Sequence, residues 1–425
     1  MRRTSLAASA TRASVAQVDA TSFADALRAF TWHGKHTREQ SMSIGDRPIA
    51  VPQFLNEFWT SRQRAAHSLH EISYRACFKP QLPRFFIERL TKPGDSVLDP
   101  FSGRGTTALE AALLGRVPVA SDINPLSRIL LEPRLAPPSL AEIEARLSQI
   151  PWTAASNWPD DLLVFYHPDT LRQISALRAY LLAREADGQL DPIDRWVRMV
   201  AVNRLTGHSS GFFSVYTMPP NQAVSARSQA KINARRHQTP ISKDVASIIA
   251  AKSASLLADV GDKTRTALAT ISRNATIVTR PAAALRDIRA DSIDLVVTSP
   301  PFLDIVQYAN DNWLRCWFCD IDPAEVAITM ARRVEEWSEA MRAVFAELQR
   351  VVRPGKFVAF EVGEVQGGAV KLDEIVLPAA IGAGFEATLV LINAQQFTKT
   401  ANCWGVANNR KGTNTNRIVL VRKPA

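Results

Sequence analysis

Thr298-Ser299-Pro300-Pro301-Phe302 is the stretch whose residue types could do chemistry on a flat ring carrying an amino group. The serine hydroxyl and the Ser-Pro backbone carbonyl are hydrogen-bond acceptors, and the prolines fix φ while removing backbone donors that would compete for them. The phenylalanine offers a face on which a base can stack. Ile293-Asp294-Leu295-Val296-Val297 precedes the motif and reads as a buried strand that would deliver these groups to a cleft. A strand-to-loop turn would also use two prolines, so the rest of the chain must decide.

A second candidate lies far upstream. Ser96-Val97-Leu98-Asp99-Pro100 is a short apolar strand ending in an acid, and Phe101-Ser102-Gly103-Arg104-Gly105-Thr106-Thr107 is a tight glycine loop. The dinucleotide fingerprint puts glycine directly after the strand and a third glycine at the helix start. Here Asp-Pro and Thr-Thr occupy those places. Backbone can approach a ligand closely at such a loop while the acid accepts from a cation or amine, which suits an amino-acid moiety better than a pyrophosphate. Asp122, at the tip of the next strand, is placed to accept ribose hydroxyls.

These residues need a frame. Strand 96–100, helix 108–114 and strand 115–122 form a strand–loop–helix–strand unit, the opening of a doubly wound parallel sheet. A helix is expected around Phe54–His70, and a second over Gln81–Leu90. From 126 to about 272 the pattern breaks into helices (Ser139–Ile150, Asp169–Glu185, Asp191–Leu205) and a long polar loop, Thr206–Pro240. Strands resume at Ala275–Thr279 and Ile293–Val297. A helix over Pro323–Arg350 and a strand over Lys356–Val362 follow. Glu386–Ile392 and Arg417–Arg422 suit an antiparallel pair at the end of an otherwise parallel sheet. The resulting division is a poorly specified segment 1–50, a first catalytic part 51–125, an insertion 126–272 and a second catalytic part 273–425.

Composition narrows the class. With 46% hydrophobic and 22% charged residues over 425 positions, the chain reads as a globular protein of one elaborated domain or two. No apolar run approaches the 18 residues of a membrane span, and a cytoplasmic location is expected. The net charge of +10 is concentrated: residues 195–280 hold 13 Lys/Arg and 3 Asp/Glu, so the remainder is balanced. Such a patch is the footprint expected of phosphate contacts, or a solvated basic face. Cys316-Trp317-Phe318-Cys319 is a single CxxC in an apolar stretch without a second pair at zinc spacing, so buried helix cysteines are expected and no metal. Trp313, Trp317 and Phe318 read as core, and His208 lacks a nucleophile-elbow sequence.

With both motifs in this order, the chain resembles the S-adenosylmethionine-dependent DNA amino-methyltransferases over about residues 60–125 and 275–425. Its fold is then expected to be α/β: a Rossmann-like methyltransferase with a mostly parallel twisted sheet, an antiparallel C-terminal strand and a mainly helical inserted target-recognition region. The resemblance implies that Asp99, Pro100, Phe101, Gly103, Gly105 and Thr106 bind the methionine end of S-adenosylmethionine and Asp122 its ribose. Tyr74 and Phe78 would form an additional cofactor wall. Ser299, Pro300, Pro301 and Phe302 would receive the target base, with Phe302 stacking on it. Asn409–Arg417 is similar to the family's closing strand region. One departure is Thr279-Arg280-Pro281-Ala282, where family members carry a Gly-Asp pair.

Serine in the first motif position implies cytosine N4 as the target, with adenine N6 as the alternative. Carbon-5 methylation is disfavoured because none of the four cysteines follows a proline. The implied partner is double-stranded DNA, read by the insertion: Arg227, Lys231, Arg235 and Arg236 lie in an acid-free stretch, the first three at i, i+4, i+8. The role would be the modification half of a restriction–modification pair, with a cognate endonuclease, or a solitary methylase. The rivals are an RNA methyltransferase on the same catalytic unit and a non-catalytic DNA-binding protein.

Overall fold

The computed structural model describes residues 20–44, 49–59, 66–74, 77–155, 157–218, 223–301, 308–326, 331, 333–365, 370–394 and 415–425. Helix α1 (Ala20–Arg28), hairpin β1 (Thr31–Trp32) and β2 (Lys35–His36), and strands β3 (Arg38–Ile44) and β4 (Ile49–Asn56) open the chain. The expected unit follows as α2 (Gln81–Leu90), β5 (Ser96–Asp99), α3 (Thr106–Leu113) and β6 (Val117–Ser121).

The inserted region is helical: α4 (Pro125–Leu135), α5 (Leu140–Gln149), α6 (Pro168–Ala186), α7 (Pro192–Arg204), α8 (Ala226–Arg236), α9 (Val245–Leu256) and α10 (Asp262–Ser272). Asn124-Pro125, His167-Pro168 and Asp191-Pro192 each start a helix with a side-chain cap and proline in the first turn. The chain continues through β7 (Thr276–Val278), β8 (Ile293–Thr298), α11 (Tyr308–Cys319), α12 (Val334–Val351) and β9 (Val352–Val362). It ends with β10 (Glu364–Val365), β11 (Val370–Lys371), α13 (Asp373–Gly382), β12 (Glu386–Ala394) and β13 (Thr415–Arg422).

Among the described residues nine strands form one sheet, in the order β3-β4-β12-β13-β9-β8-β5-β6-β7. Strands β9, β8, β5, β6 and β7 are mutually parallel, and β13 runs antiparallel between β9 and β12. The strand alternation assigns the faces. Leu98, Val296, Val358, Val390 and Val419 meet α12 and α13 on one side. Val97, Leu295, Ala359, Leu389 and Ile418 meet α1 and α2 on the other. Strand order reverses between β5 and β8, the crevice where open α/β sheets bind ligands.

Several expectations are corrected. Residues 49–56 are a strand, not the start of a helix. Val51 and Leu55 face the α12/α13 cluster and Phe54 faces the opposite one, a period of two. The β12–β13 pair does not end the sheet, because β4 pairs in parallel with β12 (Val390 with Gln53) and β3 pairs antiparallel with β4. The N-terminal segment therefore supplies structure from residue 20 onward. Helix α8 lies inside the stretch read as polar loop, and α12 begins at Val334 rather than near Pro323.

Candidate active site

Asp99 ends β5, buried, with Oδ1 accepting from the Phe101 amide (3.1 Å) and from Thr298 Oγ1 (2.6 Å). Thr298 ends β8, so this one hydrogen bond joins the two predicted motifs across adjacent strand tips. Burial pushes the Asp99 carboxyl up to about 7, against the lowering effect of those donors. Asp122 follows β6. Its Oδ2 accepts from Gly103 N (2.7 Å) and its Oδ1 from Asn124 N (2.9 Å). Burial pushes this carboxyl up to about 6. Each oxygen retains a lone pair for a further donor.

Between the two acids the loop is held by its glycines. Gly103 and Gly105 have φ of +53° and +78°, and a Cβ on Gly105 would sit 2.5 Å from Leu131 of α4. Thr106 Oγ1 accepts from Arg104 Nε (3.1 Å), and Thr107 Oγ1 donates to the Val297 carbonyl of β8 (3.1 Å). Pro100 is buried, and Phe101 packs against the α12/α13 cluster. These two shape the loop by packing.

The segment that precedes Tyr74 is tied in by buried cations. Arg104 donates to the Ile72 carbonyl (2.9 Å), and Arg134 donates to the Leu69 carbonyl (3.1 Å) and to the Arg104 carbonyl. His70 Nε2 donates to Glu110 of α3 (2.8 Å), and burial lowers the imidazole to about 4, so it is neutral there. The segment so clamped delivers Tyr74. Its hydroxyl accepts from Asn124 Nδ2 (2.8 Å), and its ring edge lies 3.6 Å from the point a Gly103 Cβ would occupy. Tyr74 thus stands beside the glycine loop. Phe78 packs instead against the α1/α2 cluster.

At the second motif, the Ser299 hydroxyl donates to the carboxylate of Glu361 on β9, and Asn416 Nδ2 of β13 donates to Glu361 Oε1 (2.8 Å). Trp337 Nε1 of α12 takes the Pro301 carbonyl (2.9 Å). Phe302 and residues 409–414 of the Asn409–Arg417 stretch lie outside the described residues. Where the family acid was missing, Arg280 N donates to the Asp122 carbonyl (3.1 Å) and the Arg280 side chain pairs with Asp287 (2.7 Å). Glu361 and Asn416 were not read as site residues. A lone acid in an apolar strand carries no local signal, and only the β8–β9 register brings it to Ser299.

Helix α8 presents Arg227, Lys231 and Arg235 to solvent, and none of them makes an ion pair among the described residues. Arg236 lies 3.8 Å over the Tyr216 ring, so it also packs within the protein. The helix is anchored to α11, which follows the second motif: Ala223 N donates to the Asp311 carbonyl (3.2 Å) and Trp313 Nε1 to the Val224 carbonyl (3.3 Å). Cys316, Cys319 and Phe318 are buried in α11, and Trp313 and Trp317 pack against the same cluster. The donor set fits the two ends of S-adenosylmethionine: a buried acid facing Gly-loop backbone for an ammonium, and a second acid with free lone pairs for ribose hydroxyls.

Residues 34–127 match the N6/N4 methyltransferase family model, described as DNA methylase. The Type II methyltransferase M.BsoBI of Geobacillus stearothermophilus is 42% identical over 69 residues, 16% of this chain and 14% of that protein. M.MjaII of Methanocaldococcus jannaschii is 34% identical over 74 residues, 17% of this chain and 14% of that protein. The matched stretches thus span about a seventh of these relatives. A solved TrmN from Thermus thermophilus aligns over 84% of this chain and 51% of its own, at 12% identity and a TM-score of 0.31. Among the described residues no helix is long and apolar enough to cross a membrane. The two motifs in their order are in keeping with the family match, and over residues 34–127 the chain is similar to the N6/N4 DNA methylase family.

Proposed function

We propose that this chain transfers a methyl group from S-adenosylmethionine to the exocyclic amine of a flipped base in duplex DNA, with cytosine N4 the favoured target. The Thr298–Asp99 hydrogen bond supports this reading, because it joins the strand tips that lead into the Ser-Pro-Pro turn and the glycine loop. When bound, the cofactor supplies an electrophilic methyl. The protein's residues hold and align. Asp99 pairs with the ammonium, Asp122 takes ribose hydroxyls, and Tyr74 closes the wall beside Gly103.

Ser299 Oγ and the Pro300 carbonyl accept the amine's two N–H groups and turn its lone pair toward the methyl, so positioning and electrostatics lower the barrier. Extruding the base costs a few kcal/mol, recovered by the pocket. Attack at a ring carbon needs a thiolate. Burial pushes the Cys77 thiol up and the Cys319 thiol up to about 12, which supports amine rather than carbon chemistry. Ser299, in place of Asp or Asn, favours cytosine. The inserted region 126–272, through α8, is the proposed DNA reader, and a partner endonuclease or a solitary role are both compatible with it.

The test is incubation with labelled cofactor and unmethylated duplex DNA, followed by digestion to nucleosides. N4-methylcytosine is expected. N6-methyladenine would move the target to the other amine. Label in RNA alone, or in no nucleic acid, would overturn the proposal.

A further inference from the structure

Glu361 is buried at the end of β9, one residue beyond Phe360, which pairs with Thr298 of β8. Ser299 and Glu361 are therefore the next residues on adjacent parallel strands, side by side at the carboxyl edge of the sheet. The serine hydroxyl has one proton, and it is committed to the Glu361 carboxylate. Toward the cleft Ser299 can then only accept. Asn416 holds the far side of the carboxylate through Oε1. A carboxylate this deeply buried costs several kcal/mol unless it is bonded, and a role in packing alone would be met by an apolar residue.

Amine methylation has a proton to dispose of. The nitrogen lone pair forms the N–C bond as the methyl leaves sulfur, and the nitrogen gains a positive charge until it releases a proton. A base sealed in the pocket has little water to receive it, whereas Ser299 Oγ is already the acceptor of that N–H. We infer that Glu361 is the final proton acceptor of the transfer, reached through the Ser299 hydroxyl. One proton passes from the amine nitrogen to Ser299 Oγ while the serine's own proton passes to Glu361, so the serine ends as it began. The inference rests on the proposed amine methylation.

Burial raises the Glu361 carboxyl above the ordinary glutamate range, which makes it a stronger base than an exposed one. Among the described residues, Arg417 of β13 pairs with Asp373 of α13 (2.9 Å), and Asp99 accepts from Thr298. Release of the proton after turnover returns the site to its starting state.

The test has two arms on the full chain. In single-turnover methylation of duplex DNA, Glu361→Gln should slow transfer by about 100-fold, the usual share of a positioned base, while DNA and cofactor dissociation constants stay within twofold. The wild-type rate should rise with pH through the Glu361 titration, and that limb should vanish in the variant. A rate within threefold of wild type, or an unchanged pH limb, would overturn the relay.

In the second arm, carbon-13 NMR follows carboxylate titration without cofactor or DNA. The resonance lost in Glu361→Gln should have its midpoint moved upward by Ser299→Ala, which removes a donor to the anion. No movement would overturn the Ser299–Glu361 link. Wild-type protein that methylates no DNA would overturn the proposed function and the relay together, while an intact NMR shift would still leave the link standing.

Discussion

Asp99 is held in a state that favours a cation and disfavours emptiness. Its folded value of about 7 lies above the ordinary aspartate value of 3.8, so the folded chain binds the proton more tightly than the unfolded chain does. The protein without cofactor therefore loses stability as pH rises between these values, by up to about 4 kcal/mol at pH 8. An ammonium beside the carboxylate reverses the preference. Cofactor affinity measured by calorimetry should then weaken below pH 7, approaching tenfold per pH unit, and Asp99→Asn should abolish binding while raising the cofactor-free Tm more at pH 8 than at pH 5. Affinity that stays flat from pH 5.5 to 8 would contradict this. Asp99, Gly103, Gly105 and Asp122 were legible in the sequence because each is part of a short contiguous pattern whose backbone demands are local. Glu361 was not, since its meaning depends on which strand lies next to it and in what register.

Helix α8 is the element that best shows what periodicity reveals and conceals. Arg227, Lys231 and Arg235 were spaced for one helical face, yet the segment around them read as loop because Gly, Pro and Ser dominate its flanks. Packing settles it: Gln229 and Asn233 bond the Tyr216 and Val164 carbonyls (3.0 and 2.7 Å), leaving the three cations outward. Through α11 the helix sits on the element that follows the second motif in sequence, so on the proposed reading phosphates bound there would be held in register with the target. Reversing all three to Glu should weaken duplex DNA binding and flatten the log–log salt slope by about three, one per lost phosphate contact. Cofactor affinity should not change. A slope equal to that of the wild type would remove α8 from the interface. Strands β3 and β4 were missed for a related reason, because Phe54 and Trp59 look helical until the open edge of β12 offers β4 a ladder.

At the scale of the whole molecule, the insertion is not a bead strung on a loop. Trp196 of α7, Leu177 of α6 and Ile249 of α9 lie in one apolar cluster with Ala108 and Leu109 of α3 and Ala120 of β6. Helices α6, α7 and α9 thus share their core with the helix that follows the glycine loop, and Arg134 of α4 reaches to the Arg104 carbonyl. Two lobes with separate cores would melt separately, whereas a shared core couples them. Trp196 is fully buried and its indole N–H donates to Ser253 Oγ (3.0 Å), so Trp196→Ala removes the largest side chain of that cluster and strands a hydroxyl. The expected cost is about 3–5 kcal/mol. Because the cavity opens in a core common to both regions, loss of helical circular dichroism and loss of cofactor binding should shift to lower temperature by the same amount. A variant whose helices melt early while cofactor binding persists to the wild-type temperature would show instead that the insertion folds on a core of its own, and that DNA reading and methyl-donor binding are thermodynamically separate.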